Sequence, residues 1–112
     1  MKNYETLITA YATDVTFPDI SGIEHLHMLM RRSEIAHNES YLTEEQRQRL
    51  HAADAQLIQQ ARIFYRAIQA IADLSNWRQN QNITINQWWW YLDVLAQLPS
   101  FSPTVIQQPM AA

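Results

Sequence analysis

Residues 88–91 read Trp88-Trp89-Trp90-Tyr91, and this run of four large aromatic side chains constrains the fold more than any other stretch. In an α-helix each residue is rotated by about 100° from the one before it, so four consecutive rings point in four directions. One apolar stripe can bury two or three of them at most. At least one tryptophan must therefore contact a second part of the chain, contact another subunit, or lie exposed.

The segment around these rings carries almost no charge. After Arg78 the rest of the chain holds a single charged side chain, Asp93, together with three of the four tryptophans. Charged side chains of a soluble protein lie mostly on its surface, so a segment that lacks them is an unusual surface. We therefore expect the C-terminal third of the chain to be covered, either by its own helices or by a partner.

The aromatic run is predicted to lie in the last of four helices. Thr84-Ile85-Asn86-Gln87 has the form of a capping box, and the helix must end before Pro99. Its apolar stripe comprises Trp88, Tyr91, Leu92, Val94, Leu95 and Leu98. The residues that point away from this stripe, and that we expect to bind a partner, are Trp89, Trp90, Asp93 and Gln97. The alternative is a central helix that is contacted on all sides.

The third predicted helix is the longest. Thr43-Glu44-Glu45-Gln46 forms a capping box, and no helix-breaking residue follows until about Asn80. A single helix over about 43–80 would be about 55 Å long. It would either protrude or be covered along its length by a second helix and a second subunit.

Two shorter helices precede it. The first is predicted over about 3–14, because Pro18 disfavours helical backbone at Phe17. The second begins at the capping box Ser21-Gly22-Ile23-Glu24 and continues to about His37. The predicted fold class is therefore all-α, a small four-helix bundle or helical array with one long central helix. Residues 1–99 would form a single helical domain, and residues 100–112 a partly ordered, uncharged tail that contains two prolines.

Composition excludes several classes of protein. Of the 112 residues 47% are hydrophobic and 17% are charged, as expected for one globular domain. The chain has no cysteine, which excludes disulfides and thiolate chemistry, and its single glycine argues against a phosphate-binding loop. A formal net charge of −3 argues against duplex binding, and no apolar run approaches the length of a membrane span. We expect a cytoplasmic protein with no nucleic-acid or membrane partner.

Two short motifs have the residue spacing that is found in some metal sites. Glu24-x-x-His27 and Glu34-x-x-His37 each place a carboxylate and an imidazole one turn apart, as in di-iron carboxylate bundles. Both motifs lie on one helix, however, and no glutamate projects from the core stripe of the third helix. From these motifs, His27, Glu34 and His37 would join Asp54 in an incomplete ligand set for a small metal-dependent enzyme. We expect no cofactor, since Glu24 is explained as a cap and His37 as a histidine at the edge of the core.

Asp54 is the most unusual acidic residue, because its position lies inside the apolar stripe of the third helix. A buried carboxylate without partners is costly, so Asp54 requires a cation or several donors. The candidate partners are Arg47, His37 and His27. An Asp–His pair can perform general acid–base catalysis, but a satisfied polar position in the core explains Asp54 equally well.

Arg62 and Arg66 lie one turn apart on the polar side of the third helix. Arginines in this arrangement can bind a phosphate or a carboxylate, although a solvated face is the simpler interpretation. No nucleophile elbow, P-loop, dinucleotide fingerprint or zinc motif is present. The sequence therefore favours a non-catalytic interaction module, an adaptor, regulator or assembly factor that binds another protein or associates with itself as a homodimer or larger species.

Overall fold

Six α-helices and two turns of 3₁₀-helix form the protein in a computed structural model that describes residues 4–98. The helices are α1 (Tyr4–Asp14), α2 (Gly22–His37), α3 (Glu44–Gln59), α4 (Ala61–Gln69), α5 (Leu74–Gln81) and α6 (Leu92–Leu95). The 3₁₀ turns cover Glu39–Tyr41 and Trp88–Tyr91. No β-strand occurs between residues 4 and 98, so the predicted all-α class is confirmed. The predicted tail, 100–112, lies outside the described residues.

Side-chain caps fix the points at which α2 and α3 begin. At the start of α2, Ser21 Oγ accepts a hydrogen bond from the Glu24 N–H at 3.4 Å. At the start of α3 both halves of the predicted capping box are present. Thr43 Oγ1 accepts from the Gln46 N–H at 3.1 Å, and Gln46 Oε1 accepts from the Thr43 N–H at 3.0 Å. These bonds satisfy backbone groups that have no partner within a helix, which is why both predicted starting points are correct.

The predicted single helix over 43–80 is wrong, because three helices occupy this span. Gln60, with φ −109° and ψ 20°, separates α3 from α4. Asp73 then caps α5 by accepting a hydrogen bond from the Asn76 N–H at 3.2 Å. Asn82 ends α5 with a φ of 54°, a left-handed conformation that asparagine adopts more readily than most residues.

The break at Gln60 allows α3 and α4 to face different neighbours. α1 packs against α2 and α3, whereas α4 packs against α2 and α6. The core draws on every helix, with fully buried side chains at Ile8, Tyr11, Met28, Leu29, Leu50, Leu57, Phe64, Ile68, Leu74 and Leu92. α2 lies between α1 and α4 and is covered from two sides. None of the helices within residues 4–98 is long and apolar enough to cross a membrane.

The predicted fourth helix from Thr84 is also wrong. The Gln87 N–H bonds to the Thr84 carbonyl at 3.0 Å and closes a turn in place of a first helical turn. The Trp88–Tyr91 run is a 3₁₀ turn, and α6 contains only four residues. A 3₁₀ turn has three residues per turn, so its side chains leave the axis in different directions from those of an α-helix.

Candidate functional site

The 3₁₀ turn at Trp88–Tyr91 directs two tryptophans into the protein. Trp89 and Trp90 are each 3% exposed. Their indole N–H groups donate to the same acceptor, Ser33 Oγ of α2, at 2.9 and 2.8 Å respectively. The Ser33 hydroxyl in turn donates to Gln87 Oε1 at 3.4 Å. Both polar edges of these large rings are therefore satisfied inside the chain, as buried indoles require.

Ring contacts tie the same tryptophans to other helices. Trp90 stacks on Trp77 of α5, with ring centroids 5.5 Å apart and planes inclined by 15°. Trp88 and Trp89 meet edge to face at 5.7 Å. The expected partner-binding role of Trp89 and Trp90 loses its structural basis, because the chain's own helices cover both rings.

The remaining two residues of the predicted partner site differ from each other. Arg78 Nη1 and Nη2 donate to the two carboxylate oxygens of Asp93 at 2.6 and 3.1 Å, and Nη1 also donates to the Trp90 carbonyl at 2.9 Å. The hydrogen bonds to Asp93 raise the pKa of the Arg78 guanidinium above its usual value. Asp93 is thus part of an internal ion pair, whereas Gln97 is exposed beyond α6.

Asp54 is buried, as predicted, and α1 and α2 supply its partners. Arg32 Nε and Nη2 donate to Oδ1 and Oδ2 of Asp54 at 2.9 and 3.0 Å. The Tyr11 hydroxyl donates to Oδ1 at 2.6 Å. Burial, together with the neighbouring Asp54 carboxylate, raises the pKa of the Tyr11 hydroxyl. The hydrogen bonds of Asp54 therefore connect α3 to α1 and α2.

Aromatic rings surround the Arg32 guanidinium. The Arg32 guanidinium carbon lies 4.3 Å from the centroid of the Trp89 ring, 6.0 Å from that of Trp88 and 5.9 Å from that of Tyr11. Its Nη1 is buried without a hydrogen-bond partner among the described residues. The electron-rich ring faces offset part of the cost of removing this charge from water. We call the group formed by Arg32, Asp54, Tyr11, Trp88 and Trp89 the Arg32 cluster.

The predicted partner Arg47 does not bind Asp54. Its Nη2 donates to the carbonyls of Glu39 and Ser40 at 3.2 and 3.4 Å, so it holds the 3₁₀ turn that precedes α3. The other predicted partners, His37 and His27, are exposed on α2.

The residues of the alternative metal site are not brought together. His27 and His37 lie on the exposed part of α2, while the Asp54 oxygens face Arg32 and Tyr11. Between residues 4 and 98 no group of three or more His, Asp or Glu side chains could hold a metal ion. Glu34 lies beside His27 in a shallow surface groove, but Asp54 is not part of that groove.

The two arginines of the predicted anion site serve different purposes. Arg62 Nε donates to the Ala96 carbonyl at 3.1 Å, and Nη2 donates to the Leu98 carbonyl at 3.4 Å. These bonds satisfy carbonyls at the C-terminal end of α6. Arg66, one turn later on α4, is exposed and lines a groove together with Asp19 and Ile20 of the α1–α2 connection.

His25 is a buried titratable group that sequence reasoning did not single out. It is 1% exposed, its Nε2 lies 3.0 Å from the Pro18 carbonyl, and its ring packs edge-on against Phe64 at 4.6 Å. Burial lowers the pKa of His25, while the Pro18 hydrogen bond and the carboxylates of nearby acids, Glu24, Asp14 and Asp19, act in the opposite direction. The histidine fastens the α1–α2 connection to the core.

We expect acidification from pH 7.5 to 5.5 to lower the stability of the fold. Because the pKa of His25 is lower in the folded chain than in the unfolded one, the unfolded chain binds more protons below about pH 6.5. Stability contributed by neutral His25 is therefore lost as pH falls through that value. Urea unfolding followed by circular dichroism at the two pH values measures the loss.

The matched control is His25→Gln, which keeps a donor for the Pro18 carbonyl and leaves every other titratable group in place. These include Asp14, whose pKa is raised by burial and which therefore acts in the opposite direction at lower pH. The variant should lose less stability than the native chain over the same interval. An equal loss in the two proteins would show that His25 is not the group responsible.

Exposed isoleucines surround the contact between the start of α2 and α4. Gly22 lies so close to α4 that a Cβ at this position would be 2.3 Å from the Ala67 carbonyl oxygen and 3.1 Å from Ile71 Cγ1. Ile20 and Ile63 line a groove beside this contact. Ile71 lies beside Gly22, and Ile23 follows Gly22 in the chain. We call these four exposed isoleucines the isoleucine patch: Ile20 (38% exposed), Ile23 (51%), Ile63 (42%) and Ile71 (52%).

Two opposite charges border the isoleucine patch. Asp19, on the α1–α2 connection, and Arg66, on α4, line the same groove as Ile20 and Ile63. Both side chains are exposed, and neither forms an ion pair within the part of the chain that the structure describes. In the interior, by contrast, Arg32 and Arg78 each form an ion pair with a carboxylate.

Comparisons with protein-family models, with curated proteins and with solved structures found no match for this chain. Of the features described here, the Arg32 cluster and His25 are internal and account for the packing of the helices. The isoleucine patch lies on the surface, and Asp19 and Arg66 line the groove beside it.

Proposed function

We propose that this protein is a non-catalytic helical interaction module that associates with itself through the isoleucine patch. The observation that carries the proposal is a set of exposed apolar side chains near one contact, from the α1–α2 connection, the start of α2, and α4 with the turn that follows it. Contiguous apolar surface of this kind marks interaction sites on soluble proteins, whereas scattered exposed hydrophobic residues do not.

The packing beneath the isoleucine patch supports this role. Phe64 and Ile68 of α4 are fully buried, and His25 fastens the α1–α2 connection from below. The Gly22–Ala67 contact fixes the distance between α2 and α4 at the centre of the patch. A surface that is already ordered loses little conformational entropy when it binds, so more of the free energy of apolar burial is retained as affinity.

We expect the native chain to form a dimer or larger species as its concentration rises, and Ile63→Glu to shift it to monomer. A carboxylate placed in an apolar contact must lose its hydration without gaining a partner, which should weaken association by more than about tenfold. Sedimentation velocity over a wide range of concentrations measures the masses.

The matched control is Ile85→Glu. Ile85 is 67% exposed and lies between α5 and the Trp88–Tyr91 turn, away from the isoleucine patch. This variant carries the same change of side chain and should retain the mass of the native chain. A native protein that stays monomeric at every concentration would overturn the proposal, and so would an equal loss of association in the two variants.

A further inference from the structure

We infer that the two copies dock about a two-fold axis, with Asp19 of each copy paired to Arg66 of the other. The inference rests on the proposed function and adds to it the arrangement of the partner and the residues that select it. It starts from the groove that Ile20 and Ile63 line together with one acidic side chain, Asp19, and one basic side chain, Arg66.

The position of the two charges is what makes the groove self-complementary. In a two-fold interface the same surface is used twice, so that residue i contacts residue j and residue j contacts residue i. Asp19 comes from the α1–α2 connection and Arg66 from α4, the two elements that border the groove. A two-fold axis that passes midway between Asp19 and Arg66 would place Arg66 of a second copy opposite Asp19, and Asp19 of that copy opposite Arg66. The isoleucines of the two copies would then meet between these charges.

Both charges are available for such an exchange. Neither Asp19 nor Arg66 forms an ion pair between residues 4 and 98, although they line the same groove. The neighbouring Arg62, one turn earlier on α4, is committed to the carbonyls of Ala96 and Leu98. Arg66 is therefore the arginine of α4 that remains to bind a carboxylate of a second chain.

Complementary charges at the border of an apolar contact select the partner and its orientation more than they add affinity. Reversal of one charge would place like charges opposite each other at two symmetric positions. Arg66→Asp would set two aspartates against each other at both positions, and Asp19→Arg would set two arginines against each other. Each single variant should therefore dimerise more than about tenfold more weakly than the native chain.

The decisive experiment mixes the two single variants, Asp19→Arg and Arg66→Asp. In a mixed dimer each Arg meets an Asp at both positions, so two chains that fail to associate alone should associate with each other. Sedimentation equilibrium of each variant and of an equimolar mixture measures this, and the double variant Asp19→Arg/Arg66→Asp should regain native association. Glu45→Arg, an exposed change on α3 with the same effect on net charge as Asp19→Arg, should leave association unchanged.

The possible outcomes separate the two proposals. If the single variants associate as the native chain does, or if the mixture stays monomeric, the Asp19–Arg66 exchange is wrong. Self-association through the isoleucine patch would still hold in that case, provided that Ile63→Glu abolishes it. Rescue by the double variant without rescue in the mixture would place the charge interaction within one chain and would also overturn the inference. A monomeric native chain would remove both proposals.

Discussion

Replacement of Asp54 by alanine should lower the free energy of unfolding by about 3–5 kcal/mol. Arg32 is 4% exposed, and its charge is balanced by two hydrogen bonds to this one carboxylate. The substitution leaves a buried cation without a counter-charge and also removes the acceptor of the Tyr11 hydroxyl. Urea unfolding followed by circular dichroism gives the change in free energy.

Two further variants identify the cause of that loss. Replacement of both charges, Arg32→Met/Asp54→Leu, should recover much of the stability, because neither buried charge remains. Asp14→Ala breaks the pair that Asp14 forms with Arg31, whose side chains are about one-third exposed, and should cost about 1 kcal/mol or less. A loss below about 1 kcal/mol for Asp54→Ala would contradict the claim that the Arg32–Asp54 ion pair is important for the stability of the fold. Asp54→Asn, which keeps hydrogen-bonding capacity, serves if the alanine variant does not fold.

Replacement of Trp89 by alanine should lower the free energy of unfolding by about 3–5 kcal/mol, as truncation of a large core side chain does. Trp89 is 3% exposed, donates to Ser33 and covers the Arg32 guanidinium at 4.3 Å. Its removal therefore opens a cavity and exposes the charge of the Arg32 cluster. Thermal and urea unfolding measure the change.

Ile85→Ala is the control for Trp89→Ala, because it also truncates a large apolar side chain but at a position that is 67% exposed. Its effect should stay within about 0.5 kcal/mol. If Trp89→Ala were equally mild, the ring would lie on the surface, as the helical reading of residues 88–91 predicts. Trp89→Phe, which keeps most of the apolar volume, provides a milder variant that should fold.

The capping box at Thr43 was predictable because its two bonds join residues only three positions apart. The same pattern at Thr84 closes a single turn instead of starting a helix, so the local signal is not sufficient by itself. The burial of Asp54 was also predictable from nearby residues. Its neighbours one turn away, Leu50 and Leu57, are fully buried on the same face of α3.

The breaks within residues 43–80 could not be predicted, because their cause is tertiary. Neither glycine nor proline occurs near Gln60, and the local sequence favours a continuous helix. The break turns α4 toward α2 and α6 while α3 remains against α1. Packing over such contacts outweighs the small differences in helix propensity between residues.

The prediction for the aromatic run is wrong because it rests on the period of an α-helix. In an α-helix, with 100° between successive residues, Trp89 and Trp90 would point away from the apolar stripe and are predicted to be exposed. In the 3₁₀ turn they reach the same acceptor, Ser33, which lies more than fifty residues earlier. The sequence around residue 88 gives no indication of a contact with a residue so distant in the chain.

The sequence contains a spacing that predicts the burial of Arg32. It lies three residues after Leu29 and three before Ile35, both fully or almost fully buried, so it occupies the inward face of α2. A cation at that position is the natural partner of a buried acid elsewhere. Arg47 is the arginine that the sequence predicts as a partner of Asp54, because the two residues lie on the same predicted helix.

The contact surface can be mapped without any substitution by recording amide and indole NMR spectra of the native chain over a range of dilutions. If the chain associates through the isoleucine patch, concentration-dependent shifts will centre on backbone amides of residues 19–23 and 63–71. The indole N–H signals of Trp89 and Trp90 will stay fixed, since both groups donate to Ser33 inside each copy. Shifts of the two indole signals with an unchanged patch, or no shifts at any concentration, would contradict the proposed function.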